Sequence, residues 1–244
     1  MATEEPQGLA YDLHLHTCLS PCGDPEMTPP NLVAMALLGG LEVIAVTDHN
    51  STRNAGAVLD AARGTPLRVV PGVEVTTAED IHAICLFPTL AAARAAGAEL
   101  EALLPPIPNR PDIFGPQWVM DAGEQVTGEV ERLLLSATTL SIDRLPHWAA
   151  GYGGLCWPAH IDRTSYSILS VLGMLPRQPE FPWLEVARPR DFFAQPQYRP
   201  LGDSHRILTN SDAHRLSDMV QPLRRLAADD PLHRWLLAGE FLLE

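Results

Sequence analysis

The chain has no lysine; all 17 of its basic residues are arginine, set against 30 acidic ones. This absence excludes a Walker lysine, a Schiff-base lysine and a carbamylated lysine bridging two metals. Cysteine is scarce as well. Four in 244 residues, two of them (Cys18 and Cys22) close together, make no disulfide framework, so buried free thiol is their expected state. No apolar run approaches the length of a membrane span. Residues 1 to 10 carry two glutamates and no basic segment ahead of an apolar stretch, so neither a membrane anchor nor a signal peptide is expected, and the protein reads as cytoplasmic. A formal charge of −13 argues against a surface that grips a long nucleic-acid backbone, since such binding neutralises phosphates with basic side chains.

With 46% hydrophobic residues, the chain can bury a full core, and its length suits one α/β domain of barrel size carrying an insertion. Tyr11-Asp12-Leu13-His14-Leu15-His16 alternates apolar and polar residues as a strand does, so both imidazoles leave one face and can grip one metal ion. The Ser20-Pro21-Cys22-Gly23 run is a turn, which puts His16 at the strand's C-terminal end, where α/β folds carry their chemistry. Thr28-Pro29-Pro30 caps a helix that Gly39-Gly40 stops. Glu42 to Thr47 reads as a buried strand leading into Asp48-His49, and Leu67 to Pro71 leads into Gly72-Val73-Glu74. Ile81 to Phe87 is a strand with His82 near its start. Further strands are expected at Gly154 to Pro158 before His160, at Trp183 to Val186, and at His205 to His214, which ends in Asp212-Ala213-His214. Between them, residues 89–150 break the rhythm. An alanine-rich helix, a stiff Pro105–Pro111 loop and mixed polar segments read as an insertion or lid, with Ser141 starting a further helix. Asp230 caps a last helix that ends at Gly239.

Collected, the strand-end residues are His14, His16, Asp24, His49, Glu74, His82, His160, Asp212 and His214. Imidazole and carboxylate are the ligands of zinc, manganese and iron rather than of calcium, and this many groups suits two or three ions. Glu74, costly among its apolar neighbours, is a natural bridge between two metals. His147, His205 and His233 stand outside this pattern and are expected at ordinary surface or core positions.

His14-x-His16, Thr47-Asp48-His49, Gly72-Val73-Glu74, His82, Pro158-Ala159-His160 and Ser211-Asp212-Ala213-His214, in that order, resemble the motifs of the PHP (polymerase and histidinol phosphatase) family across residues 12 to 214. The resemblance implies a distorted (β/α)7, TIM-like barrel over residues 10–244, holding three divalent ions (Mn, Fe or Zn) and hydrolysing phosphoesters with metal-activated water. Carried over, it assigns His14, His16, Glu74 and Asp212 to the first ion and Glu74, His82 and His160 to the second. The third takes Asp24, His49 and His214, with Asp24 standing where many members have histidine.

The expected activity is that of a phosphatase acting on a small phosphomonoester such as a nucleotide, with no long nucleic acid and no membrane as partner. The alternatives are a nuclease or phosphodiesterase trimming short oligonucleotides, and an amidohydrolase in which Glu74 replaces the bridging lysine this chain lacks. Arg163, three residues after His160, is the first candidate for stabilising charge on the phosphoryl oxygens, ahead of Arg53 and Arg215. Asp48 is a candidate either for orienting a ligand or for protonating the leaving oxygen. The oligomeric state leaves no trace in the sequence.

Overall fold

The computed structural model describes residues 8–220 and 222–239, so residues 1–7, which figure in the signal-peptide reading, and 240–244 at the end of the expected domain lie outside it. Strand β1 (Leu9–Leu15) leads through α1 (Pro29–Leu38) to β2 (Val43–Val46), and α2 (Ala55–Ala61) leads on to β3 (Arg68–Thr76). β1, β2 and β3 pair in parallel, and β2 is buried along its whole length, as expected of a strand covered on both faces. Pro29 and Pro30 start α1 without a side-chain cap, because the Thr28 hydroxyl donates instead to Glu124 Oε1 at 2.6 Å.

The alternation then breaks. Thr77 to Ile81 is too short for a crossover helix, so β4 (His82–Leu86) folds back antiparallel to β3. α3 (Leu90–Ala102), α4 (Pro111–Phe114), the hairpin of β5 (Trp118–Met120) and β6 (Val126–Glu129), and α5 (Leu145–Gly151) follow. β7 (Leu155–Pro158) then pairs antiparallel with β4. After α6 (Ile168–Leu172) come β8 (Trp183–Glu185), α7 (Pro189–Ala194), α8 (Arg199–Ser204) and β9 (Arg206–Leu208). A 3-10 turn at Leu216–Met219, β10 (Arg224–Leu226) and α9 (Pro231–Ala238) close the series.

The result is a six-stranded sheet in the order β10-β1-β2-β3-β4-β7 and a separate parallel pair β8-β9, in place of one continuous seven-strand ladder. Single backbone bonds at the strand mouths join the two: Ile161 N–H to Glu185 O at 2.8 Å, and His16 N–H to Ala213 O at 3.1 Å. The long strand expected at 205–214 is therefore short. Only Arg206–Leu208 is laddered, and the rest forms the loop that carries Asp212 and His214. β4 supplies alternate side chains to two cores, Ile84 and Leu86 to one and Ala83 and Cys85 to the other, as a strand with a period of two must.

Helix α3 packs on the sheet, its Ala93, Ala96 and Leu100 lying in the core that holds Val73 and Val75. Beyond it lies a small separate core, in which Leu104, Val130 and Leu134 close over Leu19 from the loop after β1. Asn54 stitches the two together, donating to Trp118 O (3.1 Å) and Thr17 Oγ1 (2.9 Å) and accepting from Met120 N–H (2.9 Å). The helix expected from Ser141 begins at Leu145, with the Ser141 carbonyl accepting from Leu145 N–H. Cys18, Cys85 and Cys156 are buried free thiols; Cys22 is exposed. Among the described residues no helix is long and apolar enough to cross a membrane.

Candidate metal centre

Six histidines and two carboxylates converge at the strand mouths. His14 and His16 project from the end of β1, His49 follows β2, Glu74 stands on β3, His82 opens β4, His160 follows β7, and Asp212 and His214 come from the loop after β9. Backbone strain marks the place. Asn50, His160 and Asp212 all have positive φ (48°, 27° and 52°), a conformation that costs side-chain-bearing residues energy and persists where surrounding contacts over-determine it.

His14 Nε2 lies 3.2 Å from His16 Nε2, 3.3 Å from Glu74 Oε1 and 3.2 Å from Asp212 Oδ1. His16 Nε2 is 3.3 Å from Glu74 Oε2 and 3.2 Å from the same Asp212 oxygen. One donor atom from each of these four residues lies within 4.8 Å of the others, a spacing that ligands of a single ion can share. Glu74 Oε2, Asp212 Oδ1 and His49 Nδ1 are buried, yet no aligned hydrogen bond satisfies them. Buried polar atoms left without hydrogen bonds are costly, and a cation bound among them would remove the cost. The donor set therefore fits a divalent ion at His14, His16, Glu74 and Asp212, the group expected for the first metal.

Glu74 is shared further. Its Oε1 meets His82 Nδ1 at 2.9 Å and His160 Nε2 at 3.2 Å, and its Oε2 meets His49 Nδ1 at 3.0 Å. The expected second set, Glu74, His82 and His160, is thus in contact, and His49 joins it. The third expected set comes together only in part. His49 and His214 converge with His16, whose ring stacks on His214 at 4.0 Å. The Asp24 carboxylate instead accepts from Glu26 N–H in a local turn, and only its backbone N–H reaches the site, bonding to His214 O at 2.8 Å.

The electrostatics are those of a site short of positive charge. Burial opposes the imidazolium of His14, yet Asp212, Glu185 and Glu74 hold its pKa well above the ordinary value. His16 is raised to about 9 against its burial by Asp212 and Glu74, and His49 to about 9, chiefly by Glu74. Burial pushes up the carboxyls of Glu74 and Asp212, but the imidazoles around them bring both well below the usual carboxylate range. His214 falls to about 3 through burial and the neighbouring His16. Protons on histidine balance the carboxylates, a task that bound cations perform equally well.

A second layer fixes the ligands. His14 Nδ1 donates to Glu185 Oε1 (2.9 Å), which also accepts from His160 N–H (3.3 Å), while Glu185 Oε2 accepts from Asn210 Nδ2 (2.7 Å). Glu185 was missed as a site residue. The argument that singled out Glu74, a carboxylate stranded in an apolar strand, applies equally to Trp183-Leu184-Glu185-Val186. His16 Nδ1 donates to Ser20 Oγ (2.9 Å), and Ser20 donates to Asp48 Oδ1 (2.8 Å). Thr17 fills the rest of Asp48 through its N–H (2.7 Å) and hydroxyl (2.8 Å). Of the three arginines, Arg163 reaches the cluster, its Nη2 2.6 Å from Asp212 Oδ2 with the side chain 46% exposed. Arg53 is engaged by Glu101, and Arg215 stands exposed beside His214. His147, His205 and His233 take no part in the cluster.

A nest of imidazoles around a shared carboxylate, at the strand mouths of a curled α/β sheet, defines an α/β protein whose side chains could hold divalent metal. The chain belongs to the PHP domain family, whose model matches residues 12–145, just over half of its length. It is 39% identical to the 5'-3' exoribonuclease Rnm of Salmonella typhimurium over 80 residues, 30% of this chain and 25% of the exoribonuclease. An uncharacterized protein of Methanocaldococcus jannaschii is 34% identical over 76 residues, 28% of this chain and 44% of that protein. Both matches span less than half of the relative. In fold the chain is similar to a Bifidobacterium adolescentis protein proposed to be a metal-dependent phosphoesterase, with a TM-score of 0.59 at 18% identity over 98% of this chain and 99% of that one. Endonuclease Q of Pyrococcus furiosus gives 0.55 at 17% identity over 85% of this chain and 49% of its own.

Proposed function

We propose that the chain is a metal-dependent phosphoesterase acting on a small phosphomonoester such as a nucleotide. The observation that carries this reading is Arg163, half-exposed and bonded to the ligand-set carboxylate Asp212. Its planar fork stands at the edge of the cluster, where phosphoryl oxygens would need a further cation. His14, His16, Glu74 and Asp212 would hold one ion, and Glu74 with His49, His82 and His160 a second. His16, His49 and His214 offer a third position. Bound ions would supply Lewis-acid charge and an acidified water. The protein's own part is to hold imidazoles and carboxylates in register: Glu185 fixes the tautomer of His14, and Asp48 acts through Ser20 on His16. With its oxygens taken up by Thr17 and Ser20, Asp48 is a positioning residue in this reading and not the acid that protonates the leaving oxygen.

A second reading, a nuclease trimming short oligonucleotides, draws support from the likeness to an exoribonuclease over 80 residues. The −13 charge favours small substrates over long polymers. The test is a panel of nucleotides, sugar phosphates, a short oligonucleotide, a chromogenic phosphodiester and an amide, assayed on protein loaded with Mn, Fe or Zn, with inorganic phosphate as competitor. Turnover of monoesters with competitive inhibition by phosphate is expected. Preference for the oligonucleotide would install the nuclease reading, and turnover of an amide with no response to phosphate would overturn both.

A further inference from the structure

The turn that follows His160 carries two outward-facing groups onto the cluster. Arg163 bonds Asp212, and three residues on, the Tyr166 ring stacks on His82 with centroids 4.7 Å apart and planes 22° from parallel. Main-chain bonds lock this arrangement. Arg163 N–H donates to His160 O (2.9 Å), Ser167 Oγ donates to Arg163 O (2.7 Å), and Tyr166 O accepts from His82 N–H (2.9 Å). Tyr166 has φ +54°, a left-handed conformation unusual for a bulky residue, and the turn holds it there. Yet packing on His82 covers the ring only in part. Its residue is 49% exposed, as expected of a ring with His82 on one face and solvent on the other. An aromatic face left open one ring away from a ligand imidazole is poorly explained by stability, since burying it would have contributed more.

We infer that the open face of Tyr166 is a stacking platform for a flat aromatic ring on the substrate's leaving group, a nucleobase, while Arg163 faces the phosphate. This rests on the phosphoesterase reading and narrows it to nucleotides or nucleotide termini. Stacking is tolerant of base identity, because every base offers a π face. The platform therefore predicts a preference for nucleotides over aliphatic phosphates, with little discrimination among bases.

The test uses the metal-loaded full chain, Tyr166→Ala and Tyr166→Phe, with AMP and glycerol phosphate as substrates. Calorimetric binding of AMP and of inorganic phosphate is measured alongside. Tyr166→Ala should weaken AMP binding and raise its KM by roughly tenfold or more, from the usual strength of base–aromatic stacking. Phosphate binding, glycerol phosphate turnover and metal content should stay unchanged. Tyr166→Phe should behave as wild type. Equal losses on both esters, or lost metal, would mean that Tyr166 merely backs His82 and would overturn the platform. A Phe variant as weak as the Ala variant would overturn it in favour of a hydroxyl contact. If wild type cleaves neither ester, the phosphoesterase reading fails separately, and the calorimetric contrast between AMP and phosphate still decides the platform.

Discussion

His14 and Glu185, 171 positions apart in the chain, meet through a 2.9 Å hydrogen bond from Nδ1 to Oε1 in a fully buried setting. A carboxylate only accepts, so the bond fixes the proton on Nδ1 and turns the Nε2 lone pair of His14 towards His16, Glu74 and Asp212. Glu185→Gln leaves a group of the same shape with a weaker hold on the ring. Metal affinity should fall by about 10- to 100-fold, the usual effect of removing such a partner. Competition with a chelator measures this, and an unchanged affinity would remove Glu185 from the site.

Arg163→Ala removes the half-exposed cation on Asp212 and no group of the ligand set. kcat/KM for the phosphoester should fall by roughly 10²-fold or more. Metal content by elemental analysis should hold, and inorganic phosphate should inhibit more weakly. Unchanged kinetics would show that Arg163 faces solvent and nothing else.

Stability of the metal-free chain should depend on pH in a definite direction. The pKa values of His16 and His49 rise from the ordinary 6.5 to about 9, with nearby carboxylates overcoming the effect of burial. The folded chain therefore keeps protons that the unfolded chain has released, so the stabilisation is fully present below pH 6.5 and is lost as pH rises through 9. The melting temperature of chelator-treated protein should fall across that window. In metal-loaded protein the same histidines would be deprotonated ligands, so this fall should vanish, and metal uptake at pH 7 should release protons in calorimetry. A metal-free protein with no fall between neutral pH and 9 would refute the protonated cluster.

Asn54 joins the β5-β6 hairpin to the turn after β1 through Trp118 O, Met120 N–H and Thr17 Oγ1. Asn54→Ala leaves buried backbone groups unpaired and should cost about 1–3 kcal/mol of stability, read by denaturant unfolding. If the hairpin also holds the loop carrying Ser20, and so His16, metal affinity should drop in the same variant. Loss of stability with affinity intact would make the hairpin a separate support.

The nine candidate ligands were legible in the chain because their signals are local. A period of two puts His14 and His16 on one face, Gly and Pro mark where strands end, and a carboxylate in an apolar run announces that it has a partner. Eight of the nine converge as expected, and the family follows from their order. What the tertiary structure alone decided is which atoms share a centre. Asp24 lies on the right loop, but the turn to Glu26 takes up its carboxylate, whereas His16, which the expectation left out of the third set, meets His49 and His214. Glu185 acquires its role only when β8 is laid beside the mouths of β1 and β7. β10 pairs with β1 from the far end of the chain, and its three short residues carry no pattern to predict that. Local periodicity fixes the direction in which a side chain leaves its own strand. The distance between side chains on different strands depends on how the sheet curls and where each loop is pinned, and those are set by contacts distant in sequence.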